Sequence, residues 1–387
     1  MKLIAYLCSL SALLIATCQF NIAFANGHDS VQVTLSPRVI GDTASNSSVR
    51  EVLDLWRNYL NSRPDSIYDN PYWSIEERQK FKNFDLSGSM IYGQGKNFLN
   101  QWKPLVLSVD SISKGYLIQT AYVQCDTDYF YQSLWAVQNV FAKRERGVWR
   151  LFNALPYESA KLCNERKIGR FRFVYSKDHR FNELLARNTV TFADSLSKIF
   201  SVPLRDTFEY YVTDNVSDLT ELMGMTFCLS MSTGITYPDD ARIFTASGLE
   251  FYPHELTHLV CGTCGSRFAS EGIATWQGGS NYKEGTLQNT VREARGEIHS
   301  ASELSLDSLI ANPYYSRSTS LFYATGGMVA ALIYHFTGAK GIRELRDAKQ
   351  SELVATIEKL IDDTPLTVGT IWHRYSLLNP DENDAKK

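Results

Sequence analysis

Two histidines four residues apart, in Pro253-His254-Glu255-Leu256-Thr257-His258-Leu259-Val260, constrain this chain more than any other feature. Residues at that spacing share one face of a helix, where both imidazoles can turn toward a single ion. The flanking residues favour a helix. Pro253 suits the first turn, where its missing amide forfeits no intrahelical bond, and Gly262 supplies a stop. Leu256, Leu259 and Val260 give the helix a side to bury. Glu255, next to the first histidine, can reach the water beside such an ion without being a ligand.

A catalytic metal held by two side chains needs a third, with one further position left open. Two residues qualify. Glu271 lies in Phe268-Ala269-Ser270-Glu271-Gly272-Ile273-Ala274-Thr275-Trp276, which reads as a second helix that Ser270 can cap. The intervening residues suffice for a turn that brings the two helices together. Cys264 is the alternative, six residues after His258. The metzincin pattern would place a glycine and a histidine where this chain has Cys261 and Cys264, so it is broken at both. Glu271 is the expected ligand, and Cys261-x-x-Cys264 is expected to close as a small disulfide bracing the loop between the helices.

H-E-L-T-H followed by S-E-G-I-A-T-W resembles the histidine helix and glutamate helix of the gluzincin metallopeptidases, the clan of thermolysin and the zinc aminopeptidases. The separation is shorter here. Downstream, Tyr323-Ala324-Thr325-Gly326-Gly327 is similar to the aminopeptidases' Y-x-K-G-A segment, with Thr325 in the place of the lysine. The resemblance runs from about Lys167 to the C-terminus. It implies a mostly α, zincin-type catalytic domain over 167–380 with a small sheet, and one zinc ion on His254, His258 and Glu271. It further implies Glu255 as general base, Tyr323 as donor to the oxyanion, and a peptide or protein substrate. The G-x-M-E-N strand that binds a free amino terminus in aminopeptidases has no counterpart in 241–248, so endopeptidase activity is expected. The competing expectation is a zinc-binding module that has lost turnover and serves as an extracytoplasmic binding or scaffold protein. The intact Glu255 favours the enzyme.

The rest of the chain reads as a second unit and a leader. Lys2, the apolar stretch 3–16 and Ala23-Phe24-Ala25 predict a signal peptide over 1–25 and a secreted or periplasmic protein. A lipoprotein anchored at Cys18, in Ile15-Ala16-Thr17-Cys18, is the alternative. Residues 26–47, rich in Ser, Asn and Gly, read as a linker. An N-terminal α+β domain is expected over 48–160. Ser48 to Glu51 has the form of a capping box opening a helix with Val52, Leu53, Trp56, Tyr59 and Leu60 on one face, and Ser74 to Glu77 has the same form. Strands follow at 105–112, 116–125, 132–142 and 148–155. Helices ahead of such a meander indicate an α+β unit, and the element order resembles the nuclear-transport-factor-2-like fold. In the second unit, strands are expected around Phe171 to Tyr175, 208–213 and 241–246, with a helix over 181–200 and almost only helix after the histidines.

A formal net charge of -3 gives no pull toward nucleic acid. The Lys143-Arg144-Glu145-Arg146 run beside Gly147 reads as a hairpin turn. Beyond the leader, no apolar run is long enough to span a bilayer. Removal of the leader leaves an odd number of cysteines, for which Cys125 with Cys163 is one plausible pair. His28, His179, His299, His335 and His373 carry no motif and read as structural or exposed.

Overall fold

Alternating apolar residues between Lys103 and Phe152 form the expected meander, and the computed structural model places it in the first of two sheets of an α+β protein. The structure describes residues 30–66, 70–93, 97–125, 131–280, 285–315 and 318–380. The leader expected at 1–25, with the Cys18 alternative, lies outside the described residues, as does His28.

In the first sheet β1 (Thr34–Leu35) runs parallel to β2 (Lys103–Ile112), followed antiparallel by β3 (Gly115–Cys125), β4 (Tyr131–Glu145) and β5 (Val148–Phe152). Arg146 and Gly147, both at positive φ, make the β4–β5 turn, as the charge run predicted. Several local expectations shift. Asn46, not Ser48, caps the helix Ser47–Asn61, accepting from the amides of Ser48 and Val49. Glu51 turns outward to Arg144 and the indole of Trp149. Residues 34–45, expected as linker, hold β1 and the helix Pro37–Ser45, capped by Ser36 and seated by the fully buried Val39. The last expected strand stops at Phe152, and Leu155–Leu162 is a helix.

The second sheet runs β10 (Gly234–Tyr237), β11 (Arg242–Thr245), β8 (Phe208–Val212), β7 (Phe171–Ser176), β6 (Cys163–Ile168). Its inner strands are parallel, and β10 and β6 add antiparallel edges. Side chains alternate between two apolar layers, as the twofold period of a strand requires. Phe173, Tyr210 and Ile243 face the C-terminal helices. Val174, Tyr211 and Phe244 face a core shared with Trp56, Trp73 and Ile118. β9 (Met225–Cys228) pairs with β4 of the first sheet. The N-terminal segment and the histidine-bearing segment therefore pack on opposite faces of one sheet. After β11 the described chain is helical to Leu378.

The shared core buries acids. Asp85 accepts from Tyr59 and the Gly88 amide, and burial raises its pKa to about 6. Burial likewise raises Glu77 to about 7 against the pull of its Asn153 bonds. The folded protein therefore holds protons there that the unfolded chain releases near pH 4, so stability falls as pH rises from about 4 to 7, by on the order of 3 kcal/mol per carboxyl. His179 acts in the same sense. Burial disfavours its charge, but bonds to Glu250 and Asp214 outweigh this and raise its pKa, so its contribution is lost as pH climbs past the folded value. The melting temperature should be higher at pH 5 than at pH 8, and Asp85→Asn should reduce that difference.

Candidate metal centre

His254 and His258 lie on the helix Pro253–Cys261, which opens with proline and is closed by Gly262 at φ 73. Their Nε2 atoms stand 3.2 Å apart, and each is 3.4 Å from Oε2 of Glu271. Glu271 comes from the next helix, Arg267–Gly278, capped by Ser266 through the Ala269 amide. The expected cap, Ser270, sits a turn further in and does something else: its hydroxyl meets Nδ1 of His258 at 3.2 Å. Nδ1 of His254 meets the Gly279 carbonyl at 2.7 Å, which fixes that nitrogen as the donor and leaves Nε2 free to ligate. These orienting partners could not be named from sequence.

The donor set fits an ion. Bonds of about 2.0–2.2 Å to a tetrahedral centre put ligand atoms roughly 3.4 Å apart, and the three separations are 3.2, 3.4 and 3.4 Å. His254, His258 and Glu271 can thus hold one metal ion, and among the described residues no other group of His, Cys, Asp or Glu gathers this way. Electrostatics agree. Burial opposes charge on His258, yet the bond and charge of Glu271 push its pKa up to about 9. Burial opposes charge on Glu271 too, yet the two histidines hold its carboxyl well below the ordinary range. The cluster attracts positive charge.

Glycines set the distances between helices. A Cβ on Gly272 would lie 2.6 Å from the Gly326 carbonyl oxygen, so the helix Ser320–Asp347 crosses directly over the residue after Glu271. Gly278 meets the backbone of Pro253 and His254. Gly272→Ala should cost about 1–3 kcal/mol in unfolding free energy, because backbone cannot yield as a side-chain tip can. It should also weaken metal binding by displacing Glu271. Gly296→Ala, with nothing within 4 Å, is the control and should be neutral or slightly stabilising.

That crossing helix carries Tyr323 into the site, its ring centroid 6.1 Å from that of His254. Burial and the charge of Glu271 push its phenol well above the ordinary value, against Arg267. The hydroxyl therefore remains a donor. Glu255 is buried beside the pair, and Thr236 donates to its Oε2 at 2.6 Å. A cleft of about 500 Å³ is lined by all five expected residues, with β10 along one wall and Arg267 near Tyr323. Cys264 also lines it, but the carboxylate and not the thiol completes the histidine pair. Cys261 and Cys264 are free thiols with sulfurs 3.4 Å apart, and Cys163 is free, in place of the expected bonds.

Sequence reasoning missed Thr236, Gly234 and Arg267. The only available signal for the first two was the period of two in Gly-Ile-Thr-Tyr, too short to stand alone. Comparison with protein-family models and with curated proteins returns no match. Among the described residues no helix is long and apolar enough to cross a membrane.

Proposed function

We propose that this protein is a zinc-dependent endopeptidase of the gluzincin type, acting after export from the cytoplasm. The observation that carries the reading is the set of three donor atoms at tetrahedral spacing, each histidine already oriented by a partner on its other nitrogen. Two imidazoles and a carboxylate suit zinc and leave a position for the reacting oxygen. The cleft supports a peptide as substrate. β10 is the edge of its sheet, and an extended chain can add there through main-chain hydrogen bonds.

His254, His258 and Glu271 would hold the zinc ion, which would supply Lewis acidity toward the scissile carbonyl and the attacking water. The protein's own groups do the rest. Glu255 takes the proton of that water and passes it to the departing amine. The Tyr323 hydroxyl donates where negative charge develops on the carbonyl oxygen. The Gly279 carbonyl keeps His254 in its ligating tautomer, and the Ser270 hydroxyl orients the His258 ring. The retired-module reading gains no support here, since Glu255 remains buried, hydrogen-bonded and on the cleft wall.

The test is an unbiased peptide-library digest with zinc-loaded protein, paired with elemental analysis. One zinc per chain and internal cleavage are expected; absence of tightly bound metal would sink the reading. Tyr323→Phe keeps the ring and its packing. It should lower kcat about a hundredfold, roughly 3 kcal/mol, with much less change in KM because the oxyanion forms only in the transition state. An unchanged kcat would remove Tyr323 from the mechanism.

A further inference from the structure

We propose that Thr236 is the positioning residue of Glu255, and that the N-terminal segment holds it in place through the far end of β10. The inference rests on the peptidase reading, in which Glu255 is the base. A base must be aimed within hydrogen-bond reach of its proton, and a buried carboxylate on a helix needs something to aim it. Among the described residues no Lys or Arg forms an ion pair with Glu255; its recorded side-chain partner is Thr236, at 2.6 Å. A threonine hydroxyl has one proton to give. The Glu255 backbone carbonyl also lies within reach, at 3.2 Å, so the shorter, charge-assisted bond to Oε2 is the better use of it.

The strand adds a second constraint. Residues 234 and 236 share one face of β10. A Cβ on Gly234 would stand 2.5 Å from Oε1 of Glu255 and 2.8 Å from its Cδ and Cγ, so bare backbone presses on the carboxylate there. Glu255 is thus wedged between the Gly234 backbone and the Thr236 hydroxyl.

β10 is four residues long with one strand neighbour, β11, and such edges open readily. Its far end is tied down by residues distant in sequence. The Tyr237 hydroxyl meets Ser89 at 2.9 Å. Asp240, just beyond, accepts from the Lys82 amide at 2.6 Å, from the Asn83 amide and side chain at 3.0 Å, and from Arg242 at 2.8 Å. The N-terminal segment thereby fixes the register of the strand that aims Glu255.

The experiment compares zinc-loaded native protein with Thr236→Val, Thr236→Ser and Tyr237→Phe. Zinc content, kcat and KM on a peptide from the library digest are measured, with affinity for a peptide hydroxamate, which gives its proton to the base but is not turned over. Thr236→Val should keep one zinc per chain and lose about a hundredfold in kcat, the scale of a small misplacement of a reacting group. KM should stay within about threefold, since substrate contacts are kept. Hydroxamate affinity should fall about tenfold, the worth of one charge-assisted hydrogen bond at the lower end. Thr236→Ser keeps the hydroxyl and should recover most of both losses. Tyr237→Phe should show the same split between kcat and KM on a smaller scale. Native kcat and hydroxamate affinity in Thr236→Val would overturn the proposal, and so would equal losses in the valine and serine variants. Zinc-loaded native protein without Glu255-dependent cleavage would fail the peptidase reading instead. The hydroxamate affinities then decide the role of Thr236 alone, and equal values in native and Thr236→Val overturn it.

Discussion

Glu255→Gln should leave one metal ion per chain and remove nearly all hydrolysis. The amide has the shape of the carboxylate and can still accept the Thr236 hydroxyl, so the wedge against β10 is kept. It cannot take a proton. Glu255 is not among the three donors, so metal content should not change. Positioned acid–base groups contribute about 10²- to 10⁴-fold, and in the proposed mechanism one group serves both the attack and the departure. The loss is therefore expected at the upper end, at least about a thousandfold in kcat. Elemental analysis with the peptide-library digest measures both sides. Equal cleavage by native protein and Glu255→Gln would show that the base lies elsewhere. Metal without cleavage in either would point to the retired module.

What sequence could and could not reveal divides by the range of the forces involved. The histidine helix is written locally: Pro253 starts it, Gly262 stops it, and a four-residue spacing aligns the ligands. The Gly272 and Gly326 positions were legible as motif, but their purpose, a helix crossing at backbone distance, emerges only in three dimensions. Errors at caps came from choosing between neighbouring polar residues. Asn46 and Ser48, like Ser266 and Ser270, offer oxygens within a turn of one another, and tertiary contacts decide which is used. Ser270 is drawn off by His258 and Glu51 by Arg144 and Trp149. The strands that went unread, β1, β6, β9 and β10, have two to six residues and little buried surface of their own. They exist because a neighbour supplies the pairing, which no local pattern encodes.

The same limit hid the relation between the two halves of the chain. An N-terminal α+β unit and a helical unit were each legible from their periodicities. The inner strands of the sheet between them were expected too, but not its burial on both faces, in which Phe173 with Val174, Tyr210 with Tyr211 and Ile243 with Phe244 serve opposite layers. Adjacent apolar residues of this kind fit a strand buried on both faces. Such a reading would have placed the N-terminal core against the back of the metal site's own sheet.

Glu271→Ala should strip the centre of its metal, while Cys264→Ser should not. The carboxylate is equidistant from both imidazole nitrogens at 3.4 Å and supplies the site's anionic ligand. Its loss leaves two donors on one helix and no anionic ligand in the donor group. Changes to residues that merely orient ligands cost about 10- to 100-fold in metal affinity. Ser270→Ala should fall in that range through His258. Loss of a ligand should exceed it, to on the order of a thousandfold or more. Competition against a zinc-chelating dye separates these cases. Cys264 lines the same cleft and is the other residue whose spacing suited a third ligand, so its serine variant is the decisive partner. Full affinity in Glu271→Ala with loss in Cys264→Ser would transfer the third position to sulfur. The opposite pattern is what the geometry requires, because the carboxylate oxygen already stands at tetrahedral distance from both histidines while the thiol turns to Cys261.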